Sequence, residues 1–236
     1  GFAELFMPIQ KNLDVTAAAR YDSFGAVKNS KHFDDQGNLL SPATQGETAS
    51  SATYKISAAF RPTDTTLLRA SYGTGFKAPS MFQITSPIVN GGSSNFFPCP
   101  ITSGPLLPLC NGTAEYNLLT GGNSTTGATA LKPEKSTQYT VGFRVEPIPT
   151  VSVGFDFWNV KLKDQIATLS QSEVFLHPAK YGNLFSAYYD PIVGANVLAA
   201  TLTPFNLASS QYQGIDWDHS YRLNTSKGKV TFNWTG

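Results

Sequence analysis

The sequence predicts an all-β protein, specifically an antiparallel transmembrane β-barrel segment of about eight strands. Apolar and polar residues alternate along much of the chain with the period of a β-strand. Charged residues make up 14% of the sequence and aromatic residues 12%, whereas soluble domains carry about 25% charged residues. Short and long connections between the alternating segments follow one another in turn, so all of the long ones fall at the same end of the strands.

The first half of the chain contains four alternating segments in two predicted hairpins. The first segment alternates less cleanly than the others, because Phe2, Glu4 and Phe6 share one face. Residues 10–12 have the length of a hairpin turn, whereas 22–51 form a long polar loop. The predicted strands are Phe2–Ile9, Leu13–Tyr21, Thr53–Arg61 and a strand that begins at Thr66.

The second half of the chain contains two further hairpins and two more long loops. The loops, 76–135 and 163–207, far exceed the usual connection of about four to six residues. Two short helices are expected in the second of them, at Gln171–Lys180, with an interruption at Pro178, and at Asn196–Thr201. The predicted strands are Thr137–Val145, Val151–Leu162, Gln211–Leu223 and Lys229–Thr235.

The two faces of the predicted strands differ in polarity. The apolar faces carry tyrosines near strand ends, as the aromatic belt of a membrane protein does. The polar faces carry charges of both signs, which suits a wet or plugged lumen. We therefore expect Ile56, Tyr72, Phe143 and Phe155 to face lipid, and Ser57, Arg69, Arg144 and Asp156 to face the lumen.

Composition argues against several classes of function. The net charge of +1 and the lack of a basic stripe give no case for nucleic-acid binding. No apolar stretch is long enough for a transmembrane helix. The histidines His32, His177 and His219 have no partners at the spacing of a metal site or a catalytic triad, so we expect neither a cofactor nor an enzyme. The chain begins and ends within alternating segments, and we expect it to be an interior piece of a longer protein.

Two cysteines lie close together in the loop 76–135. Cys99 and Cys110 are surrounded by prolines, which predicts an irregular and exposed segment. A disulfide between them is expected in an oxidising compartment, and two free thiols are the alternative.

Two sequence runs resemble signatures of TonB-dependent outer-membrane receptors. Residues 69–80 read RASYGTGFKAPS, and residues 131–136 read LKPEKS, which resembles the L-x-P-E-x-S entry to the next strand in that family. Further similarity covers Leu13–Gly25, Thr53–Ser80, Ser136–Phe143 and Gln213–Leu223.

The resemblance implies that residues 1–236 are part of a receptor barrel of about 22 strands. A plug domain and a segment contacted by TonB would then lie elsewhere in the longer protein. The implied function is import of a scarce small-molecule ligand, such as a siderophore, cobalamin or a sugar, across the cell outer membrane. The implied partners are the lipid bilayer with lipopolysaccharide, the plug domain, the TonB complex and the ligand. A passive porin or adhesin barrel is the alternative, followed by a soluble β-sandwich binding protein.

The best candidates for ligand contact are the aromatic residues of the long loops and two basic residues at the base of the first. Aromatic rings bind ligands at low cost in conformational entropy. The alternative is that these rings pack the loops against one another. The candidates are Arg69, Lys77, Phe96, Phe97, Tyr116, Tyr188 and Tyr189, with Tyr181 and Phe185 in similar positions.

Overall fold

A computed structural model describes residues 1–26, 28–29, 32–33, 39–41, 44–45, 48–110, 112, 114–123 and 130–236. The strands in chain order are β1 (Phe2–Gln10), β2 (Leu13–Phe24), β3 (Lys28–Asn29), β4 (His32–Phe33), β5 (Leu39–Ser41), β6 (Thr44–Gln45), β7 (Ala49–Thr63), β8 (Thr66–Lys77), β9 (Val89–Ser93), β10 (Asn117–Thr120), β11 (Glu134–Ile148), β12 (Val151–Thr168), β13 (Phe185–Asp190), β14 (Ala195–Leu202), β15 (Pro204–Thr225) and β16 (Gly228–Thr235). The α-helices are α1 (Met81–Thr85), α2 (Gln171–Leu176) and α3 (Pro178–Tyr181).

Eight of these strands form one antiparallel sheet, in the order β1, β2, β7, β8, β11, β12, β15, β16. This confirms the predicted all-β architecture and strand number. Most strands are longer than predicted, and the longest are β12 with 18 residues and β15 with 22. A tilted strand crosses a bilayer in about 9–11 residues, so β12 and β15 are longer than a membrane crossing needs. Part of the predicted loop 163–207 is therefore strand.

The pairing register separates an apolar face from a polar face. On the apolar face, Leu68 lies opposite Phe60 and Phe143, and Phe155 lies opposite Phe143 and Trp217. Of these side chains, Phe155 is partly covered and the others are exposed, as are Ile56 and Val141, so no second sheet covers this face within the described residues. A β-sandwich would bury such a face, so this exposure argues against the soluble β-sandwich considered from the sequence.

The outer loops contain their own secondary structure. A second sheet, in the order β13, β14, β10, β9, joins parts of the loops 76–135 and 163–207, and the loop 22–51 contains the antiparallel pairs β3 with β6 and β4 with β5. The expected helix at Gln171–Lys180 is present as α2 and α3. The second expected helix was wrong, because Asn196–Thr201 lies within β14, where pairing with two other strands outweighs local preference.

Helix α1 was missed from the sequence although it carries a start signal. Ser80 Oγ accepts a hydrogen bond from the backbone N–H of Gln83, and the Gln83 side chain accepts one from the backbone N–H of Ser80. This reciprocal capping box satisfies two donors at the start of the helix. In the described part of the chain, none of the helices has both the length and the apolar character that a membrane span requires.

Candidate functional site

The two longest loops fold together into one unit, which we call the outer lobe and define as the described residues of 81–123 and 169–203. Strands β10 and β14 pair in parallel, with Asn117 opposite Ala199 and Thr120 opposite Leu202. These residues come from different loops, and the chain passes through β11 and β12 between them. The parallel pairing therefore ties the hairpin of β8 and β11 to the hairpin of β12 and β15.

The outer lobe has a hydrophobic core built around aromatic rings. The ring of Phe175 stacks on that of Phe97, with centroids 4.8 Å apart, and on that of Tyr116 at 5.4 Å. Phe185 meets the same ring edge-on at 5.2 Å. Stacked and edge-on rings stabilise a core beyond the area they bury. Burial also raises the pKa of the Tyr116 hydroxyl above its ordinary value. Leu198 and Val174 complete the interior and are almost fully buried.

A disulfide closes the first part of the lobe. Cys99 and Cys110 are bonded to each other, and their Cα atoms lie 5.8 Å apart. Cys110 is buried and Cys99 packs against the same core. The predicted exposed segment is thus partly inside the lobe, because Ile101, Leu106 and other apolar neighbours of the cysteines contact the core as well.

At one edge of the lobe, a buried carboxylate organises the turn between β13 and β14. Asp190 Oδ2 accepts a hydrogen bond from the Asn117 side chain at 2.7 Å, and Oδ1 accepts from the backbone N–H groups of Ile192 and Val193. These hydrogen bonds, the one from Asn117 foremost, lower the pKa of Asp190 below its ordinary value. The turn presents Ile192, which is 94% exposed.

Just outside the outer lobe, one side chain of β15 joins two other segments of the chain. The Asn206 amide donates to the backbone carbonyls of Lys132 and Asp164, and its Oδ1 accepts from the Lys132 N–H at 2.8 Å. Asp164 has a φ of 56° at a register shift of β12, an uncommon backbone conformation for a residue other than glycine. The Asn206 contacts hold that irregularity in place. Nearby, Glu134 accepts from Lys77 and from the Ile166 N–H.

The polar face of the main sheet carries ion pairs that span three strands. Arg69 on β8 pairs with Asp156 on β12 across Gly142 of β11, and its Nε donates to Asp156 Oδ1 at 2.7 Å. Arg144 on β11 pairs with Asp218 on β15 across Gly154 of β12 in the same way. Two arginines on this face are therefore paired with carboxylates within the sheet, and Arg69 is one of them.

The whole chain matches one family of known proteins. The family model described as TonB dependent receptor-like, beta-barrel matches residues 1–236. The chain belongs to the TonB-dependent receptor family. Among curated proteins, none matches this sequence.

Solved receptors share the fold. The chain is similar to the siderophore receptor PirA from Acinetobacter baumannii, with a TM-score of 0.61 and 17% identity over 99% of this chain and 26% of that one. For the Serratia marcescens hemophore receptor HasR, in complex with its hemophore HasA and heme, the TM-score is 0.51 and the identity 13%, over 100% of this chain and 33% of that one. For the copper transporter OprC, the TM-score is 0.52 and the identity 16%, over 99% of this chain and 28% of that one. The chain thus spans about a third or less of the length of these proteins.

Two of the predicted ligand candidates are buried in the receptor's outer lobe. Phe97 is 9% exposed and Tyr116 is 2% exposed, and both rings stack on Phe175. Neither ring is open to a ligand in this arrangement, so the alternative of loop packing describes these two, as it does Phe185. Tyr181 is also partly buried against the same core, and its hydroxyl donates a hydrogen bond to Glu173.

The other candidates lie at accessible positions, but no contact described between them joins them into one cluster. Phe96 is 78% exposed and Tyr189 is 60% exposed, while Tyr188 is partly covered. Lys77 is exposed at the outer end of β8 and contacts Glu134. Arg69 is partly covered and bound to Asp156, deeper along the same face. These residues remain candidates for ligand contact.

A cavity that the sequence did not predict lies between α1 and the outer ends of β12 and β15. Its volume is about 690 Å³, within the usual range of about 300–1,000 Å³ for ligand sites. Gly121 and Gly122 allow the chain to pass close to α1, because a Cβ on Gly122 would lie 2.8 Å from the carbonyl carbon of Ile84. Asn123 donates a hydrogen bond to the carbonyl of Pro204, which lines the cavity. The lining is mostly apolar, with hydroxyl and amide groups among it: Phe82, Gln83, Val89, Thr120, Ile166 and Thr168.

One wall of the cavity is formed by α1, and the capping signal of Ser80 and Gln83 was the indication of this helix in the sequence. Its opposite wall comes from strand extensions that begin 80 or more residues later in the chain, at Ile166 and Pro204. The described residues contain no group of three or more histidine, cysteine, aspartate or glutamate side chains that would hold a metal ion.

Proposed function

We propose that this chain is the ligand-capturing part of an outer-membrane receptor that imports a scarce ligand with energy from TonB. The observation that carries the proposal is the folded outer lobe, placed at the end of a transmembrane sheet that belongs to the TonB-dependent receptor family. An ordered lobe with its own core offers a rigid binding surface, and rigid surfaces bind ligands with less loss of conformational entropy.

The cavity beside α1 is the proposed place of capture. Its walls are largely apolar, and its polar groups, such as Thr120 and Thr168, are uncharged. Such a lining fits a neutral or chelated organic ligand better than a bare anion. Phe82 is 79% exposed at its rim and is available to cover a bound ligand. Lys77 and Arg69 lie on the polar face of β8, and an acidic group of the ligand would bind them in competition with Glu134 and Asp156.

Related receptors support the proposed class of ligand without identifying it. The similar solved structures are a siderophore receptor, a hemophore receptor and a copper transporter. A passive porin or adhesin remains the second candidate. The lobe favours the receptor, because two loops that fold together at the end of the strands would restrict free diffusion if they cover the barrel mouth.

The test is ligand uptake by the complete receptor in cells with and without TonB. We expect uptake of a chelated or neutral nutrient that stops when TonB is absent. Phe82→Ala should weaken ligand binding at least tenfold, since it removes the ring at the rim of the cavity. The control is Leu107→Ala, an exposed apolar residue of the lobe that does not line the cavity. Uptake that is equal without TonB, together with free passage of small sugars, would instead identify a passive channel.

A further inference from the structure

Three lysines lie together at the outer end of the apolar face of the main sheet. In the register of β11 and β12, Lys135 lies directly opposite Lys163. Lys161 lies opposite Thr137, one step further inward on the same face. The rows that follow on this face pair Tyr139 with Asn159, Val141 with Phe157 and Phe143 with Phe155. The face thus changes from aromatic and aliphatic side chains to lysines within a few residues.

This group, which we call the lysine cluster (Lys135, Lys161 and Lys163), carries positive charge that the fold leaves uncompensated. All three side chains are exposed, and none of them forms an ion pair within the described part of the chain. The nearest carboxylate along β11, Glu134, contacts Lys77. Directly opposed side chains have Cβ atoms about 4.5–5.5 Å apart, and like charges at such positions destabilise a sheet. A bound anion would remove that repulsion.

The surroundings of the lysine cluster select for an anion that is part of an amphiphile. Phe76 on β8 lies opposite Lys135, and Gln211 on β15 lies opposite Lys161. Inward of the cluster, the rings of Tyr139 and Phe157 are in contact, with centroids 6.0 Å apart. The long connections are at this end of the strands, which places the cluster at the outer boundary of the bilayer. An ion at this site would therefore have water on one side and hydrocarbon on the other.

We infer that the lysine cluster binds the phosphate groups of an anionic lipid headgroup in the outer leaflet. Lysine ammonium groups bind phosphate as compact charges, and their aliphatic stems lie along apolar surface while the charged ends reach the headgroup layer. Three such groups within two register positions match a headgroup that carries more than one phosphate. The acyl chains of the same lipid would lie on the aromatic face below. The inference rests on the proposed placement in the outer membrane.

The probe for this site is lipopolysaccharide, used with its phosphates intact and after enzymatic removal of them. The complete receptor would be stripped of lipid in detergent, and binding would be measured by native mass spectrometry and by titration. The test variant is the triple change Lys135→Gln, Lys161→Gln and Lys163→Gln. A charge-preserving variant carries arginine at the same three positions. The matched control is Lys11→Gln, Lys227→Gln and Lys229→Gln, which removes three charges from the end with the short turns.

We expect the glutamine variant to bind intact lipopolysaccharide at least tenfold more weakly than the parent. The arginine variant and the short-turn control should bind intact lipopolysaccharide like the parent. Removal of the phosphates from lipopolysaccharide should weaken its binding to each of these proteins, but not to the glutamine variant. Equal binding by the parent and the glutamine variant would overturn the inference. So would full displacement of the lipid by inorganic phosphate at equal concentration, which would indicate a site for free phosphate.

Two further measurements separate this inference from the proposed function. Resistance of the folded barrel to unfolding in cold detergent shows whether each variant has assembled. Uptake of ligand by cells tests the receptor function independently, because the lysine cluster lies on the opposite face of the sheet from Arg69 and Lys77. Loss of lipid binding with intact uptake supports the inference, whereas a parent protein absent from the outer membrane contradicts the proposed function itself.

Discussion

Arg69 and Asp156 are bound to each other across an intervening strand, and Gly142 between them makes the contact possible. All three residues lie in one row of the sheet, since Gly142 is opposite Arg69 on one side and opposite Asp156 on the other. A Cβ on Gly142 would collide with the Asp156 carboxylate. The same arrangement recurs with Arg144, Gly154 and Asp218. Glycine on the middle strand thus lets charged side chains from the two flanking strands meet.

Replacement of Gly142 by alanine should therefore destabilise the barrel. The added methyl group displaces the Asp156 carboxylate from Arg69, and overpacking of this kind costs about 1–3 kcal/mol. The control is Gly73→Ala, because a Cβ there would meet its nearest neighbour, Tyr54 O, at an ordinary 3.5 Å. Thermal unfolding of the complete receptor in detergent would measure both. Equal unfolding temperatures would show that the carboxylate moves aside without cost.

The assignment of the two faces predicts opposite effects of arginine at neighbouring positions. Ala70 lies on the apolar face, opposite Ala58 and Val141, whereas Ser71 lies on the polar face opposite Ser57 and Thr140. Arginine on the lipid side near the middle of the bilayer costs about 2–4 kcal/mol. Ala70→Arg should therefore reduce the yield of assembled barrel in outer membranes far more than Ser71→Arg. Equal yields would contradict the assignment of the apolar face to lipid.

Loss of the disulfide should loosen the outer lobe and leave the main sheet intact. The two cysteines are separated by 11 residues, and closure of a loop of this size contributes about 2–3 kcal/mol. In the variant with Cys99→Ser and Cys110→Ser, hydrogen exchange should rise in β9 and β10 and stay unchanged in β7 and β8. Mass spectrometry of the native protein without reductant should find no free thiol at either position. Recovery of both thiols free would contradict the bond.

Acid should weaken the turn between β13 and β14 through Asp190. Hydrogen bonds to its carboxylate lower the pKa of Asp190 in the folded lobe, so the ionised form is the one that the fold stabilises. The contribution is fully present above the unfolded pKa of about 3.9 and is lost as the pH falls through the lower folded value. Protection of Val193 and Gly194 against hydrogen exchange, corrected for intrinsic rate, should fall in that range.

The matched change is Asp190→Asn, which keeps the shape of the side chain and removes its titration. This variant should show reduced protection at neutral pH and no further loss of protection in acid. An acid-induced loss of the same size in this variant would assign the effect to another group.

Local patterns in the sequence were sufficient to predict the main sheet. Alternation such as Ile56, Ala58 and Phe60 depends only on the two-residue period of a strand, and turn residues such as Asp64 mark where strands end. The eight strands, their antiparallel order and the grouping of side chains into two faces follow from these signals, because each strand pairs with the next long strand along the chain.

The outer lobe and the contacts within it were decided by the tertiary structure. Whether Tyr116 is a buried ring or an exposed one depends on Phe175, which comes from a different loop. Asn196–Thr201 forms a strand because β10 and β13 supply its hydrogen bonds, although its composition also suits a helix. The pairing of Arg69 with Asp156 depends on the register of three strands. Such contacts join residues far apart in the chain, so no local period or spacing records them, and they are specified only when the whole sheet has formed.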